Sequence, residues 1–344
     1  MRTKNKFLKN LLIVLGSLAL SAIICEFKGD AWEGSVRKGF YSVTHDTITT
    51  YGSIILDEKG IPYVYYPAMN GVAAGNEYNP TIICNYAIDY YQLAEEKNDS
   101  ATKNKFGHCI EWLAKNISYK DGYAHYEFNW QQPFYDSVGV PWTSGMTSGR
   151  AIEAFTDAYK LTHAPEWLDH ASALLRGFYY PIDSGGFTYR EPGGWWYEEY
   201  AHRAMHTPRV LDGHIYAFMG VRTFWLLTKN DSAAKVVEEG IRALKDHLPG
   251  YDKGDGDIFY DAYHKVADQK YHELLTSMMK ALWDITQDRI FYEYYHKWEA
   301  PLKKPYVYRI FKQRNRSGLV LYFLVSALVF LVLTGINRLI RKKS

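Results

Sequence analysis

From Asn79 onward apolar residues recur about every three and a half positions, and the helices implied by this period come in pairs. The first helix of each pair begins near Asn79, Met146, Asp212 and Lys270. Its partner follows a short polar break such as Glu96-Lys97-Asn98-Asp99, His163-Ala164-Pro165 or Lys229-Asn230-Asp231. Four starts at comparable spacing form an internal repeat. One helical hairpin cannot bury its apolar faces alone, so a repeat of hairpins must stack. The expected fold is mainly α, an (α/α) toroid or incomplete barrel of about four helical hairpins. In a toroid the loops between the pairs, residues 119–142, 181–209 and 250–263, surround one pocket; in an extended solenoid they lie in a row on an open face.

Those loops are aromatic and Gly-rich, and the middle one holds the densest chemistry in the chain. Residues 193–216, GGWWYEEYAHRAMHTPRVLDGHIY, combine two Trp, three Tyr, two adjacent carboxylates, three His and two Arg before running into an apolar helix. An ordinary connection carries small turn formers instead. The chain as a whole has 30 Tyr and 10 Trp. Aromatic faces stack on sugar C–H surfaces and Tyr hydroxyls bond sugar oxygens, so the excess suits a glycan groove.

Several function classes are disfavoured. The 40 basic and 38 acidic residues nearly cancel, with no long basic run in the central region, which gives no sign of a nucleic-acid partner. No Gly-rich loop follows a strand in the dinucleotide arrangement, and neither HExxH nor a paired Cys motif occurs, so no cofactor is expected. Asp252, Asp255 and Asp257 in DKGDGD lack the Glu of a calcium loop, and no metal site is expected. Ser144 in TSGMTSG lacks the glycines of a nucleophile elbow. Cys25, Cys84 and Cys109 read as buried thiols, with a single Cys84–Cys109 bridge as the alternative outside the cytoplasm.

The two ends carry membrane signals. Arg2, Lys4, Lys6 and Lys9 precede the apolar run 11–25, the layout of a signal peptide or an uncleaved signal anchor. Residues 318–336 are charge-free and long enough for a transmembrane helix, with Arg338, Arg341, Lys342 and Lys343 after them. Two spans with a basic internal start place residues 28–316 outside. The expected organisation is a signal or anchor segment over 1–27, a lead-in with a β-hairpin around Asp57-Glu58-Lys59-Gly60 over 28–70, and an (α/α) catalytic domain over 71–300. A juxtamembrane linker (301–317), the spanning helix (318–336) and a basic tail (337–344) follow. The expected location is membrane-anchored, with an extracytoplasmic catalytic domain.

What chemistry remains is acid–base work by carboxylate and phenol. Glu198 and Glu199 adjoin Tyr200, Tyr260 and Tyr263 lie in DIFYDAYHK, and Tyr271 and His272 open the fourth pair. Removing a proton α to a carboxylate needs a base on one face of the carbon and cations to neutralise the enediolate; returning a proton from the other face inverts the centre. Arg203, Arg209, His202 and His206 are the nearby cations.

At these residues the chain resembles the C-terminal domain of the glucuronyl C5-epimerases, which act on heparan or heparosan-type glycans. The resemblance is carried by PWTSGMTSGRAIEAFTDAYK at 141–160, by YEEY followed by VLDGHIYAFMG up to Gly220, and by LPGYDKGDGDIFYDAYHK continuing to YHELL at Leu275. It spans roughly 71–298. It implies an (α/α) barrel domain that turns D-glucuronate into L-iduronate within a polymer without a nucleotide cofactor. Glu199, Tyr200, Tyr260 and Tyr271 fall on its catalytic positions. Ser144, Gly145, Met146, Asp212, Tyr216 and His272 fall in its motifs as substrate-binding candidates, Asp212 standing where the family has Asn. Tyr263 stands where the family places Arg, so the partner of a substrate carboxylate is sought among His264, Lys265, Arg203 and Arg209. The partners implied are a uronate-containing polysaccharide, the membrane and, since family members often dimerise, a second copy of the chain.

The leading expectation is C5 epimerisation, with Glu199 and Tyr271 on opposite faces and Tyr200 and Tyr260 orienting or sharing the proton. A polysaccharide lyase or uronyl hydrolase on the same fold, and a membrane-tethered glycan-binding protein without activity, are the alternatives.

Overall fold

The computed structural model describes residues 2–44, 53–66, 68, 70–135, 138–203 and 207–343. Residues 45–52 of the expected lead-in, and His206, lie outside the described residues. The chain forms two compact units, one from its two ends (Met1–Thr49 with Ala300–Ser344) and one from Thr50–Glu299. The first element is helix α1 (Arg2–Thr44), which belongs to the unit of the two ends.

The central unit opens with an antiparallel sheet of β1 (Ser53–Leu56), β2 (Pro62–Tyr66) and β3 (Gly75–Glu77), in the order β1-β2-β3. Asp57 Oδ1 makes the first turn by accepting from the Lys59 and Ile61 N–H groups, and Gly60 takes the left-handed position at φ 80°. The expected hairpin is thus a three-stranded sheet. Its third strand is three residues long, too short to show a period.

Four helical pairs follow: α2 (Pro80–Lys97) with α3 (Ser100–Lys115), α4 (Gly145–Thr162) with α5 (Glu166–Gly177), α6 (Leu211–Thr228) with α7 (Asp231–Tyr251), and α8 (Gln269–Thr286) with α9 (Arg289–Leu302). Side-chain caps set three of the four starts, Asn79 accepting from Thr81 N–H, Ser144 from Thr147 and Asp268 from Tyr271, while Val210, at the start of α6, supplies none. Each first helix stops on a left-handed residue, Asn98, His163, Lys229 or Gln287, with φ of 48°, 57°, 56° and 55°. This shared stop reverses the chain within a few residues and is the physical content of the repeat. The first helices pack in sequence, α2 on α4, α4 on α6 and α6 on α8; α2, α4 and α6 are each backed by their own partners, while α8 meets α9 through Trp283 against Tyr292 and His272 against the Trp298 carbonyl. Helices α4, α6 and α8 line a cavity of about 270 Å³, with Arg150, Tyr216 and Leu274 on its wall, the inner surface of an incomplete (α/α) barrel. The α4 and α6 backbones touch: a methyl group on Gly149 would lie 2.2 Å from the Ala217 carbonyl oxygen, and one on Gly220 2.0 Å from that of Gly149.

The connections between pairs are more ordered than loops. Residues 119–142 overlap β4 (Ser118–Lys120), β5 (Tyr123–His125), β6 (Glu127–Phe128) and β7 (Trp142–Thr143); residues 181–209 hold β8 (Thr188–Glu191) and β9 (Gly194–Tyr197); residues 250–263 hold β10 (Asp252–Gly254) and β11 (Asp257–Ile258). They form two-stranded antiparallel pairs in chain order. Because each leads into the N-terminus of an inner helix, all gather at one end of the barrel. The loop-like reading of 193–216 is corrected: it begins as a strand buried at all four positions.

In the unit of the two ends, α10 (Tyr306–Lys312) and α11 (Arg316–Lys343) complete the set. Helix α1 continues past residue 27 to Thr44, and α11 packs along it antiparallel: Tyr322 donates to the Leu18 carbonyl, while Asn315 and Ser317 donate to Glu33. Arg309 of α10 pairs with Asp30 at 2.8 Å. The stretch 301–317 is thus largely helical rather than a plain linker. Two segments, Leu8–Val36 and Arg316–Ile340, are long and apolar enough to cross a membrane. Cys25, Cys84 and Cys109 are buried free thiols.

Candidate active site

The site grows from β9. Gly194 lies flat on α7, where a methyl would meet the Ala243 nitrogen and the Glu239 carbonyl oxygen at 2.5 Å each. Trp196 stacks on His214 of α6 at 4.0 Å, and the Tyr197 hydroxyl donates to the Val236 carbonyl at 2.7 Å. His214 Nδ1 accepts from Tyr197 N–H at 3.0 Å, which assigns the ring proton to Nε2, donated to the Gly240 carbonyl at 3.0 Å. Burial drives the His214 pKa down to about 3, so the ring is neutral and structural. Beyond β9 the chain crosses the entry to α4: Thr143 and Ala201 exchange both backbone hydrogen bonds, and Gly145 N–H donates to the Glu198 carbonyl at 2.7 Å. These ties carry Glu198, Glu199 and Tyr200 over the N-termini of α4 and α6.

Glu199 lies against Gly213 in the first turn of α6. A methyl on Gly213 would fall 2.5 Å from Glu199 Oε2, so the carboxyl occupies the space a side chain would need. Asp212 precedes that glycine. Glu199 Oε2 and Asp212 Oδ1 are both buried without a hydrogen-bond partner among the described residues. Burial, then the neighbouring Asp212 charge, push the Glu199 pKa well above the carboxylate range, against the pull of a hydrogen bond from Tyr200. Burial raises Asp212 to about 7, against the backbone N–H groups of Asp212 and Gly213 and the charge of Lys270. Each charge disfavours the other, so the two carboxyls titrate as a linked pair with both pKa values raised. Glu198 is also buried, its pKa raised to about 8 by desolvation, with Oε2 accepting from Arg209 N–H.

The phenols arrive from the third connection. Tyr260 is held by its carbonyl, which accepts from Leu211 N–H at 3.1 Å, and by its N–H, which donates to Lys265 at 2.6 Å. Its ring lies 4.6 Å from that of Tyr271, near enough that the Tyr260 hydroxyl offsets part of the rise in the Tyr271 pKa. Burial, followed by the Glu199 and Asp212 charges, raises Tyr260; burial, followed by the Asp212 and Glu199 charges, raises Tyr271. Both are protonated acids in the resting protein. Glu199, Tyr200, Tyr260, Tyr271 and Asp212 therefore form one cluster, Asp212 buried and the other four half-buried, drawn from the second and third connections and the starts of α6 and α8.

Other sequence candidates lie elsewhere or have other work. Ser144 caps α4, Gly145 is closed in by Phe187 and the Glu198 carbonyl, and Met146 is buried, so all three support the strand crossing. His272 is buried and bonded to the Trp298 carbonyl at 2.7 Å. Arg209 pairs with Glu191 at 2.5 Å and lies beside His247, which itself pairs with Glu191 at 2.6 Å; it is committed inside the fold. Arg203 points away into a neighbouring cleft with Tyr123 and Trp142. His264, at φ 61°, stacks on Phe259 at 4.5 Å, and Tyr263 is half-exposed against Tyr135. Tyr216 remains at the barrel cavity below Asp212, with Arg150 over its ring at 5.1 Å.

Three residues around the cluster, Tyr135, Asp261 and Lys270, escaped the sequence; Lys265 was among its candidates. Tyr135 donates to Asp261 at 2.7 Å and packs on Tyr200 at 5.2 Å, while Asp261 also accepts from the Tyr263 and Lys265 N–H groups and so shapes the connection that presents Tyr260. Lys270 stands 5.6 Å from the Tyr271 ring centre, and Lys265 stands 5.6 Å from that of Tyr260. The one available signal for Lys270 was its place directly before Tyr271.

The model of the D-glucuronyl C5-epimerase C-terminus matches residues 115–300. An uncharacterized protein of Methanocaldococcus jannaschii is 29% identical over 188 residues, 54% of this chain and 58% of that protein. The D-glucuronyl C5-epimerase of Caenorhabditis elegans is 29% identical over 218 residues, 55% of this chain and 33% of that one. The chain thus spans less than two thirds of the length of either relative. Among solved structures, the cellobiose 2-epimerase from Bacillus thermoamylovorans superposes with a TM-score of 0.51 over 86% of both chains at 11% identity, a likeness of fold alone.

Proposed function

The chain belongs to the D-glucuronyl C5-epimerase family, and from that premise we propose that it inverts C5 of D-glucuronate residues within a polysaccharide, without a cofactor, by removing a proton from one face and returning one to the other. The observation that carries the proposal is the meeting of a carboxylate pair, Glu199 with Asp212, and a phenol pair in ring contact, Tyr260 with Tyr271, in one cluster.

In the forward step the ionised form of Glu199 takes the C5 proton. The C–H bond breaks, and its electron pair moves into the C5–C6 bond to give an enediolate. Tyr271 then donates its proton to the opposite face of C5, and the pair returns to that carbon. Tyr260 donates a hydrogen bond to the Tyr271 oxygen and so eases the loss of its proton. Tyr200, bonded to Glu199, orients the carboxylate; with Tyr260 it offers a route by which the proton on Glu199 returns to Tyr271. Lys265 and Lys270, beside the two phenols, supply the positive charge that an enediolate needs where Tyr263 provides none. Asp212 sets when Glu199 ionises.

We place this chemistry at a membrane surface, on the strength of the two apolar segments Leu8–Val36 and Arg316–Ile340, with the unit between them extracytoplasmic. A reporter fused to the C-terminus and active on the outer side would overturn that topology.

The test of the reaction is incubation with heparosan-like polymer and a panel of other uronate polymers in heavy water. Deuterium at C5, with formation of the epimer, is the expected result. A folded protein that exchanges no C5 hydrogen on any of them refutes the proposal. Ultraviolet-absorbing products would indicate a lyase, and new reducing ends without them a hydrolase.

A further inference from the structure

Beside the acid–base cluster lies a second cleft of about 560 Å³, whose lining includes Lys120, Tyr123, His125, Trp142, His202 and Arg203. It shares a wall with the cluster, because Trp142 also packs on Tyr200 at 5.3 Å. Arg203 is three residues beyond Tyr200, so a chain of sugars whose reacting residue sits over Tyr200 reaches this cleft by continuing past Trp142.

The cleft has the parts of a sugar site. Tyr123 and Trp142 line it as largely buried rings, Tyr123 held by stacking on Tyr180 at 3.9 Å and Trp142 by stacking on Phe128 at 3.8 Å. His125 is 4% exposed, faces Glu127 through Nε2 at 3.2 Å, and leaves Nδ1 buried without a partner among the described residues. Burial lowers its pKa, so the ring is neutral; with its proton on Nε2 toward Glu127, Nδ1 is an acceptor for a sugar hydroxyl. Charge decides the rest. Lys120 is paired with Glu127 at 2.7 Å and Asp121 shares the lining, so the cleft carries little net charge and is no general anion trap. Arg203 differs: it is exposed and makes no ion pair with any described residue, and its planar fork matches a carboxylate.

We propose that this cleft is a subsite for a second uronate of the same polymer, flanking the one that reacts, with Arg203 holding its carboxylate and Tyr123, His125 and Trp142 holding its ring. Arg203 therefore selects polymer by its neighbouring residue rather than replacing the cation at the reacting centre. The ligand class rests on the epimerase reading; the site rests on the cleft.

The experiment measures affinity of the full chain in detergent for three oligosaccharides of equal length: a uronate oligosaccharide, its carboxyl-reduced form, and a sulfated carboxyl-reduced form. Wild type and Arg203→Gln are compared; Arg203 is exposed, and circular dichroism checks the fold. Arg203→Gln is expected to weaken binding of the uronate oligosaccharide about tenfold and to leave the carboxyl-reduced form unchanged. Equal losses on both, or no loss on the first, overturns the proposal, as does an Arg203-dependent gain on the sulfated form, which would make sulfate the anion. Isotope exchange on the same uronate oligosaccharide separates the two readings. Exchange with no effect of Arg203→Gln on affinity sinks the subsite and keeps the epimerase; the expected affinity pattern without exchange does the reverse.

Discussion

Replacing Asp212 by Asn tests the central electrostatic claim, that two carboxyls titrate as a linked pair and that this linkage sets when the base is available. The Glu199 carboxyl rests on Gly213, and Asp212 is the adjacent residue, with successive Cα atoms about 3.8 Å apart. Carboxyls that raise one another's pKa, as these do, lie within roughly 4–6 Å, so ~5 Å sets the scale. At an effective dielectric of about 20, unit charges at that distance repel by ~3 kcal/mol, equivalent to ~2 pH units. The Asp212 charge raises the Glu199 pKa; Asn removes the charge, keeps the shape, and lets Glu199 ionise at lower pH. The acid limb of kcat/KM for C5 exchange should therefore move toward lower pH in Asp212→Asn. Two units is the ceiling, since the form with the proton on Asp212 already supplies some ionised Glu199 in the natural protein. Burial stays in place, so the limb should remain above the ordinary carboxylate value. The assay is deuterium incorporation at C5 across a pH series. An unmoved limb, or one displaced to higher pH, would refute the linked-pair argument.

Three further outcomes are expected. Glu199→Gln should lower exchange and inversion together by ~10²–10⁴-fold, whereas Tyr271→Phe should lower inversion by a like factor while the first face still exchanges with solvent; equal behaviour of the two variants would remove the opposite-face assignment. Gly220→Ala forces a methyl to 2.0 Å from the Gly149 carbonyl oxygen in a backbone crossing that cannot yield locally, so a loss of ~1–3 kcal/mol and a lower unfolding temperature are expected; a stability equal to the natural protein would contradict the close approach. Stability should also respond to pH with opposite signs at two buried groups. His214 is neutral in the fold with its pKa depressed to about 3, so its contribution is complete above 6.5 and is lost as pH falls toward 3. Glu198 is protonated in the fold with its pKa raised to about 8, so its contribution is complete below 4.5 and is lost as pH rises toward 8. Each has a limiting slope of ~1.4 kcal/mol per pH unit, so thermal unfolding of His214→Phe should flatten the acid side and that of Glu198→Gln the alkaline side; unchanged slopes would show that neither group titrates as argued.

The helical pairs were legible because their signals are local. A polar break, a left-handed stop at Asn98 or Lys229 and a capping Asn79 or Asp268 act within a few residues of one another, and the apolar period spans the whole helix. The short strands were not legible, since β9 is a buried run without alternation and β6 and β7 have two residues each. The proposed acid–base groups stand at motif positions in the sequence, but their meeting in one cluster required two connections and the starts of α6 and α8 to converge at one end of the barrel.

Charge was the least legible quantity, and Arg209 explains why. As a letter it is an available cation eleven residues after Glu198, in the richest stretch of the chain. In the fold it answers Glu191, 18 residues earlier, and lies beside His247, 38 residues later. Whether a cation is free depends on every carboxylate the fold brings near it, and that is a non-local fact. The same reasoning applies with opposite outcome to Lys270. It looks like the start of an amphipathic helix, yet the fold sets it beside the Tyr271 ring and close enough to Asp212 to lower that residue's pKa. The protonation states follow suit. Glu199 and Asp212 are ordinary carboxyls in the sequence and become a linked pair only because α6 begins beneath them and the Gly213 position leaves room. A search for the cation that serves the reacting carboxylate therefore begins at Lys265 and Lys270, and the arginines belong to other tasks: Arg209 to holding β8 against α7, and Arg203 to the neighbouring cleft.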